Sequence, residues 1–111
     1  MDEQEFERRT DVIFGQIERA LDAALSVAEN DDLDYETQPG GVLEIETAGH
    51  GRIVIHRHVA SQEIWVAAAA IGGFHFVWDG LDWLDTRSGR RLSACLNDLF
   101  IQAGVKIELS G

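Results

Sequence analysis

The hydrophobic pattern of this chain changes period twice, and that change constrains its fold more than any other feature. From Phe6 to Ala28 the apolar residues Phe6, Ile13, Ile17, Ala20, Leu21, Ala24 and Ala28 recur at helical spacing. At ~100° per residue they share one face of a helix. Gly15 interrupts it at a cost of about 1 kcal/mol relative to Ala, and Asn30-Asp31-Asp32 ends it. The period then becomes two. Leu33-Asp34-Tyr35-Glu36 alternates apolar with acidic, Gln38-Pro39-Gly40-Gly41 turns, and Val42 to Thr47 alternates again. Ala48-Gly49-His50-Gly51 connects to a strand over 52–58. Another runs from Glu63 to Ala69, Ile71-Gly72-Gly73 turns, and Phe74 to Trp78 returns. Asp79-Gly80 leads to a short strand at Asp82-Trp83-Leu84. Short strands joined by glycine turns predict an antiparallel meander. The helical period returns after Ser88-Gly89 with Leu92, Cys95, Leu96, Leu99, Phe100 and Ala103, closed by Gly104. The tail from Val105 to Leu109 alternates and is expected to pack back as an extended segment.

The order helix, strands, helix predicts an α+β fold. Two helices pack on one face of a single five- to six-stranded antiparallel sheet. At 111 residues the chain reads as one domain, 1–111, able to bury a core without disulfides or metal staples. Its 45% hydrophobic content and single proline fit a globular protein. No apolar run approaches the ~18 residues of a membrane span. The acidic start Met1-Asp2-Glu3-Gln4-Glu5 is the opposite of the basic region of a targeting peptide. With the lone Cys95, this leads us to expect a cytoplasmic protein in a reducing compartment.

Charge narrows the function. Nine basic against twenty acidic residues give a net −11, and residues 1–36 alone carry twelve acids and three bases. A field of that sign repels nucleic acid and anionic membrane, so neither is expected as a partner. It attracts metal cations or a basic protein. On a helical wheel Glu3, Glu7, Asp11, Glu18, Asp22 and Glu29 fall within roughly a third of the circumference. Glu7/Asp11 and Glu18/Asp22 are i,i+4 pairs, a spacing at which like charges destabilise an isolated helix. Asp34 and Glu36 share the outward face of the first strand, so helix and strand are expected to form one acidic surface. Oxygen-only ligands suit hard cations such as iron, manganese, calcium or magnesium. Without a loop to wrap the ion, such sites are weak, shallow and several. A solvated acidic face is the plain alternative.

Other residues offer less. His56 and His58 alternate on one strand face, as co-ligands of a metal or simply as half-exposed strand residues. His75 points to the face that Phe74 and Phe76 avoid. If Ile64 and Val66 are core, Trp65 stands on the open sheet face. There it would be a contact residue, with His58 and His75 as further candidates for partner binding. Cys95 lies in an apolar stripe, the place of an inert thiol rather than a nucleophile. No phosphate-binding glycine motif and no Ser/His/Asp grouping is present, so binding is expected rather than catalysis.

Taken in order, several stretches are similar to the bacterial frataxin family. They are Glu5-Phe6, Ile17-Glu18, Leu21-Asp22, Gly40-Gly41-Val42-Leu43, Gln62-Glu63-Ile64-Trp65-Val66-Ala67, Gly72-Gly73-Phe74-His75-Phe76, Gly80 with Trp83, and Arg87-Ser88-Gly89. The Ile64-Trp65 strand followed by Gly-Gly-Phe-His-Phe is the specific part. The resemblance implies two helices on an antiparallel sheet, weak and reversible binding of iron (Fe²⁺ or Fe³⁺) on the acidic ridge, and a role in iron–sulfur cluster assembly. The implied role is iron donor or iron-dependent regulator, with the cysteine desulfurase and the cluster scaffold as partners. It further implies a monomer open to iron-induced oligomers. The ridge carries over to Glu7, Asp11, Glu18 and Asp22, and more loosely to Asp31, Asp32, Asp34 and Glu36; the exposed tryptophan carries over to Trp65. Ferroxidase or iron-storage activity is attributed to the family and ranks second, since a buried di-iron site needs inward Glu-x-x-His pairs that this sequence lacks. A metal-free acidic docking module ranks third. The chain departs from the family at Ala23 and Ala24, where relatives often continue the acidic run, in a longer helix-to-strand passage, and over Ala67 to Ala70.

Overall fold

The computed structural model describes residues 1–27, 30, 32–49, 51–69, 71–107 and 109. Ala28, Glu29, Asp31, His50 and Ala70, which entered the expectations above, lie outside the described residues.

The first helix, α1 (Glu3–Leu25), begins where the chemistry of an N-terminus dictates. Asp2 has extended backbone, and its carboxylate accepts the Glu5 amide at 2.7 Å, satisfying one of the orphan donors of the first turn. At the other end the Ser26 hydroxyl takes the Ala23 carbonyl at 2.7 Å, and the Asn30 amide takes that of Ala24 at 2.9 Å. With those carbonyls captured, α1 stops at Leu25, short of the expected Ala28. The buried line is Phe6, Thr10, Phe14, Ile17, Leu21 and Ala24, in steps of four and three. Ile13 and Ala20, expected on the apolar face, are only partly buried at its edge. Thr10 tolerates burial because its hydroxyl donates to the Phe6 carbonyl at 2.9 Å. Gly15 has no packing reason for lacking a side chain: a methyl there would meet only the end of Arg19, at an ordinary 3.5 Å. Gly15→Ala is therefore expected to stabilise the protein by about 0.5–1 kcal/mol in urea unfolding.

Six strands follow: β1 (Asp34–Gln38), β2 (Val42–Thr47), β3 (Gly51–His58), β4 (Glu63–Ala68), β5 (Gly72–Trp78) and β6 (Trp83–Asp85). They form one antiparallel sheet in sequence order, as each turn delivers the chain beside the strand it has just left. Boundaries differ from expectation in small ways. β4 ends at Ala68 rather than Ala69. Gly72 and Gly73, expected in a turn, already pair with Ala68 and Ala67. β6 is shifted one residue, ending on buried Asp85, whose carboxylate accepts the Ser88 hydroxyl at 2.7 Å and the Ser88 amide at 3.0 Å.

Register decides which face is core. Leu43 pairs with Ile55, Ile45 with Ile53, Ile55 with Val66 and Ile64 with Phe76, so one face carries a continuous apolar layer. Onto it pack α1 and the second helix, α2 (Leu92–Gln102), through Leu92, Cys95, Leu96, Leu99 and Phe100. Phe6 of α1 meets Trp83 of β6 edge-on, ring centroids 6.0 Å apart. The expected architecture, two helices on one face of an antiparallel sheet, is the one observed. The tail packs back, and among the described residues it does not join the sheet. Val105 and Leu109 are buried, Asn97 bonds both backbone groups of Leu109 at 3.0 Å, and Asn30 bonds both of Lys106 at 2.9 Å.

Candidate functional site

Two surfaces collect the residues singled out by sequence. The first is the outer side of α1. Glu3, Glu7, Asp11 and Asp22 are exposed and Glu18 is half-buried. Their spacing is helical, but two of the carboxylates already have partners from the sheet. Asp11 Oδ1 accepts Arg57 Nη1 from β3 at 2.7 Å. Asp22 accepts the phenol of Tyr35 from β1. The like-charge crowding expected on this helix is therefore relieved at Asp11 by a cation 46 residues away. Arg8 and Arg9, nearer in sequence, instead pair with Glu5, at 4.0 and 3.4 Å.

Asp34 and Glu36 need a correction. Tyr35 pairs with core residue Ile45, so by alternation Asp34 and Glu36 point to the open face of the sheet. There they stand across from Glu46 and Glu44, which share Arg52 at 2.8 and 3.8 Å. Helix acids and strand acids thus lie on opposite faces of the edge strand, not on one continuous surface. Asp32 is exposed in the connecting segment, and Asp31 lies outside the described residues. Among the described residues no three His, Cys, Asp or Glu side chains converge on one point. A cation here would meet one or two carboxylates and keep most of its water. The donor set is oxygen-only and reachable, which fits a hard cation held weakly as cargo.

Tyr35 reports the electrostatics of the ridge. Its pKa is pushed up from 10.0 to about 12, first by the hydrogen bond to Asp22, then by burial and by the negative charges of Asp22 and Glu18. Each of these favours the neutral phenol over the phenolate.

The second surface is the open face of the sheet. Ile64 and Val66 are fully buried, so Trp65 stands on the opposite side. The ladder sets it between His56 of β3 and His75 of β5. His58 stacks on one side of the indole, centroids 3.9 Å apart and planes within 10°, and His75 stacks on the other at 4.6 Å and 9°. His56 stands edge-on at 6.2 Å. The indole N–H donates to Glu63 at 2.7 Å. The same carboxylate oxygen accepts the Ser61 hydroxyl at 3.1 Å and lies 3.5 Å from His75 Nδ1. Ser61 also bonds His58 Nδ1 at 2.7 Å. His58, Trp65 and His75 are thus brought together, and the ring is held in one orientation. His56 and His58 are not set as a chelating pair: their rings meet edge-on, and His58 is committed to Ser61 and Trp65.

Sequence reasoning missed Arg57, Tyr35 and Glu63. A signal for two of them was present. Arg57 follows Ile53 and Ile55 in the alternation of β3, and Tyr35 shares the core-side parity of β1, so each polar tip must find a partner toward the helices. Cys95 is buried, and burial pushes its thiol pKa up, as suits an inert core residue.

A two-helix, six-stranded antiparallel fold with an acidic first helix and a tryptophan on the open face defines a class. The description "Frataxin-like domain" matches residues 1–105, and the chain belongs to the frataxin family. It is 46% identical to the iron-sulfur cluster assembly protein CyaY of Dechloromonas aromatica, over 98% of this chain and 99% of that one. Against the protein of the same name from Neisseria meningitidis serogroup B it is 36% identical, covering 99% and 97%. Among solved structures it superposes on frataxin from Psychromonas ingrahamii with a TM-score of 0.82 at 23% identity, covering 100% of both chains. Trimeric frataxin from the yeast Saccharomyces cerevisiae, in its ferrous complex, gives a TM-score of 0.68 at 24% identity, covering 93% and 86%.

Proposed function

We propose that this chain serves iron–sulfur cluster assembly, carrying iron as weakly held cargo on α1 and docking on the assembly machinery through the open sheet face. The observation that carries this reading is the end-to-end similarity to proteins named for that role. Two features on this chain support it. The acids of α1 are exposed hard-oxygen donors, and Trp65 is a large ring held rigid outside the core. Rigid aromatic side chains lose little entropy on binding and are common interface anchors. On this reading Glu3, Glu7, Asp11, Glu18 and Asp22 make up the cation-binding surface. Asp32, Asp34 and Glu36 add to the field that draws cations in. Trp65, flanked by His58 and His75, meets the cysteine desulfurase or the cluster scaffold. The chain acts as donor or iron-dependent regulator, not as a catalyst.

The test has two arms. Changing Asp11, Glu18 and Asp22 together to Ala should abolish the tightest Fe²⁺ binding in anaerobic calorimetry. Capture of the desulfurase by the wild-type chain should increase when Fe²⁺ is added. Capture indifferent to iron, with no Fe²⁺ binding by the wild type, would reduce the protein to a metal-free docking module; Fe²⁺ binding that survives the triple change would move the site off α1.

A further inference from the structure

The alternation of β3 assigns Arg57 to the core side of the sheet, next in line after fully buried Ile53 and Ile55. Its side chain leaves β3 beside Gly41 and reaches α1. Nη1 donates to Asp11 Oδ1 at 2.7 Å, Thr10 Oγ1 at 3.0 Å and the Glu7 carbonyl at 3.3 Å. The guanidinium carbon lies 5.6 Å from the centre of the Phe14 ring. The path is built for it. Gly41 has φ of +78°, and a Cβ there would come within 2.5 Å of the Arg57 side chain. Arg57 is only 19% exposed whereas Asp11 is 68% exposed, so the positive charge is fixed from below and the carboxylate lies over it. Asp11, Glu18 and Arg57 line the same cleft, of about 320 Å³, between α1 and the β1–β2 hairpin.

We propose that Arg57 is a built-in counter-ion that competes with cations for Asp11, lowering the cation affinity of α1 and displacing binding toward Glu18 and Asp22. This rests on the reading of α1 as the cation-binding surface. A fixed guanidinium a few ångströms from a bound dication weakens it by about three- to tenfold, even in a high-dielectric, salt-screened setting. A carboxylate already engaged by a charge-assisted hydrogen bond must also give up part of it to coordinate. Arg57 thereby acts as a positioning residue: it holds α1 to the sheet, and it sets how tightly cargo is held.

The experiment is a Mn²⁺ titration of the full chain, read by calorimetry and by paramagnetic broadening of backbone amides. In the wild type, broadening should centre on Glu18 and Asp22 and largely spare Asp11. Arg57→Gln should bind Mn²⁺ about three- to tenfold more tightly and bring Asp11 into the broadened set, while Arg57→Lys, which keeps the charge, should bind as the wild type does. If Arg57→Gln binds as the wild type does, the proposal is wrong. A second comparison removes both partners. Arg57→Gln combined with Asp11→Asn leaves the net charge of the pair at zero and should bind within about twofold of the wild type, whereas Glu18→Gln alone should weaken binding several-fold. A double variant that binds as tightly as Arg57→Gln alone would also overturn it. A wild type with no broadening anywhere on α1 would sink the cation-binding reading itself. Broadening on α1 that ignores the charge at position 57 would sink this proposal alone.

Discussion

Trp83→Ala should cost about 3–5 kcal/mol of stability and lower Tm by roughly 10–20 °C, whereas Trp65→Ala should leave most of the stability and remove docking. The same residue type is involved, and its surroundings decide the outcome. Trp83 is 2% exposed, meets Phe6 edge-on and lies against Trp78 with centroids 5.5 Å apart. It joins the shortest strand of the sheet to α1, and removing it leaves a cavity that the three-residue β6 cannot close. A domain of this size has about 5–15 kcal/mol in all, so such a loss is a large fraction of it. Trp65 loses two ring stacks and one hydrogen bond, each worth on the order of 1 kcal/mol. It leaves no hole, because Ile64 and Val66 seal the core on the other side of the sheet. Urea unfolding of the two variants, beside capture of the cysteine desulfurase, separates the roles. If the two substitutions destabilise equally, the His58–Trp65–His75 stack is a structural pillar, and its part in docking has no support left.

The second large effect is spectroscopic. Tyr35 is the only tyrosine in the chain, so the phenolate absorbance reports that residue alone. It should titrate near 12 in the folded protein, a shift from the ordinary 10.0 that amounts to about a hundredfold in the ionisation constant. Asp22→Asn should bring the midpoint back toward the ordinary value, since Asp22 is the leading cause as hydrogen-bond acceptor and contributes again as a negative charge. The linkage has a definite sign. The folded pKa lies above the unfolded one, so the folded state retains the proton longer. The stability this supplies is fully present below pH ~10 and is lost as pH rises from about 10 through about 12. Tyr35→Phe should remove that part of the alkaline loss. A wild-type midpoint of about 10 in protein still folded by circular dichroism would mean that the bridge from β1 to α1 does not form in solution.

That bridge and the Arg57 pair show where reading the chain stops being enough. The period switch from helical to alternating and back could be read from the residues, because apolar spacing acts through local geometry. It predicted both helices and the meander, but left open which of the two alternating sets of β4, Ile64 and Val66 or Trp65, is core. Misplaced ends were local too: Ser26 and Asn30 capture the last carbonyls of α1, and Gly72 and Gly73 enter the ladder instead of turning. The acids of α1 were legible as a ridge for the same reason, since a helical wheel needs no partner. Their counter-ions were not. Arg57 is 46 residues from Asp11, and Tyr35 is 13 from Asp22. Alternation assigns each to a face but says nothing of what crosses that face. The strand acids Asp34 and Glu36 failed on the same point. Both are outward, and only the pairing of Tyr35 with Ile45 shows that outward on β1 means away from α1. Periodicity along one chain thus determined the elements and the buried sides of the two helices. Strand register and the packing of α1 on the sheet, set by the whole apolar layer at once, decided which charges meet.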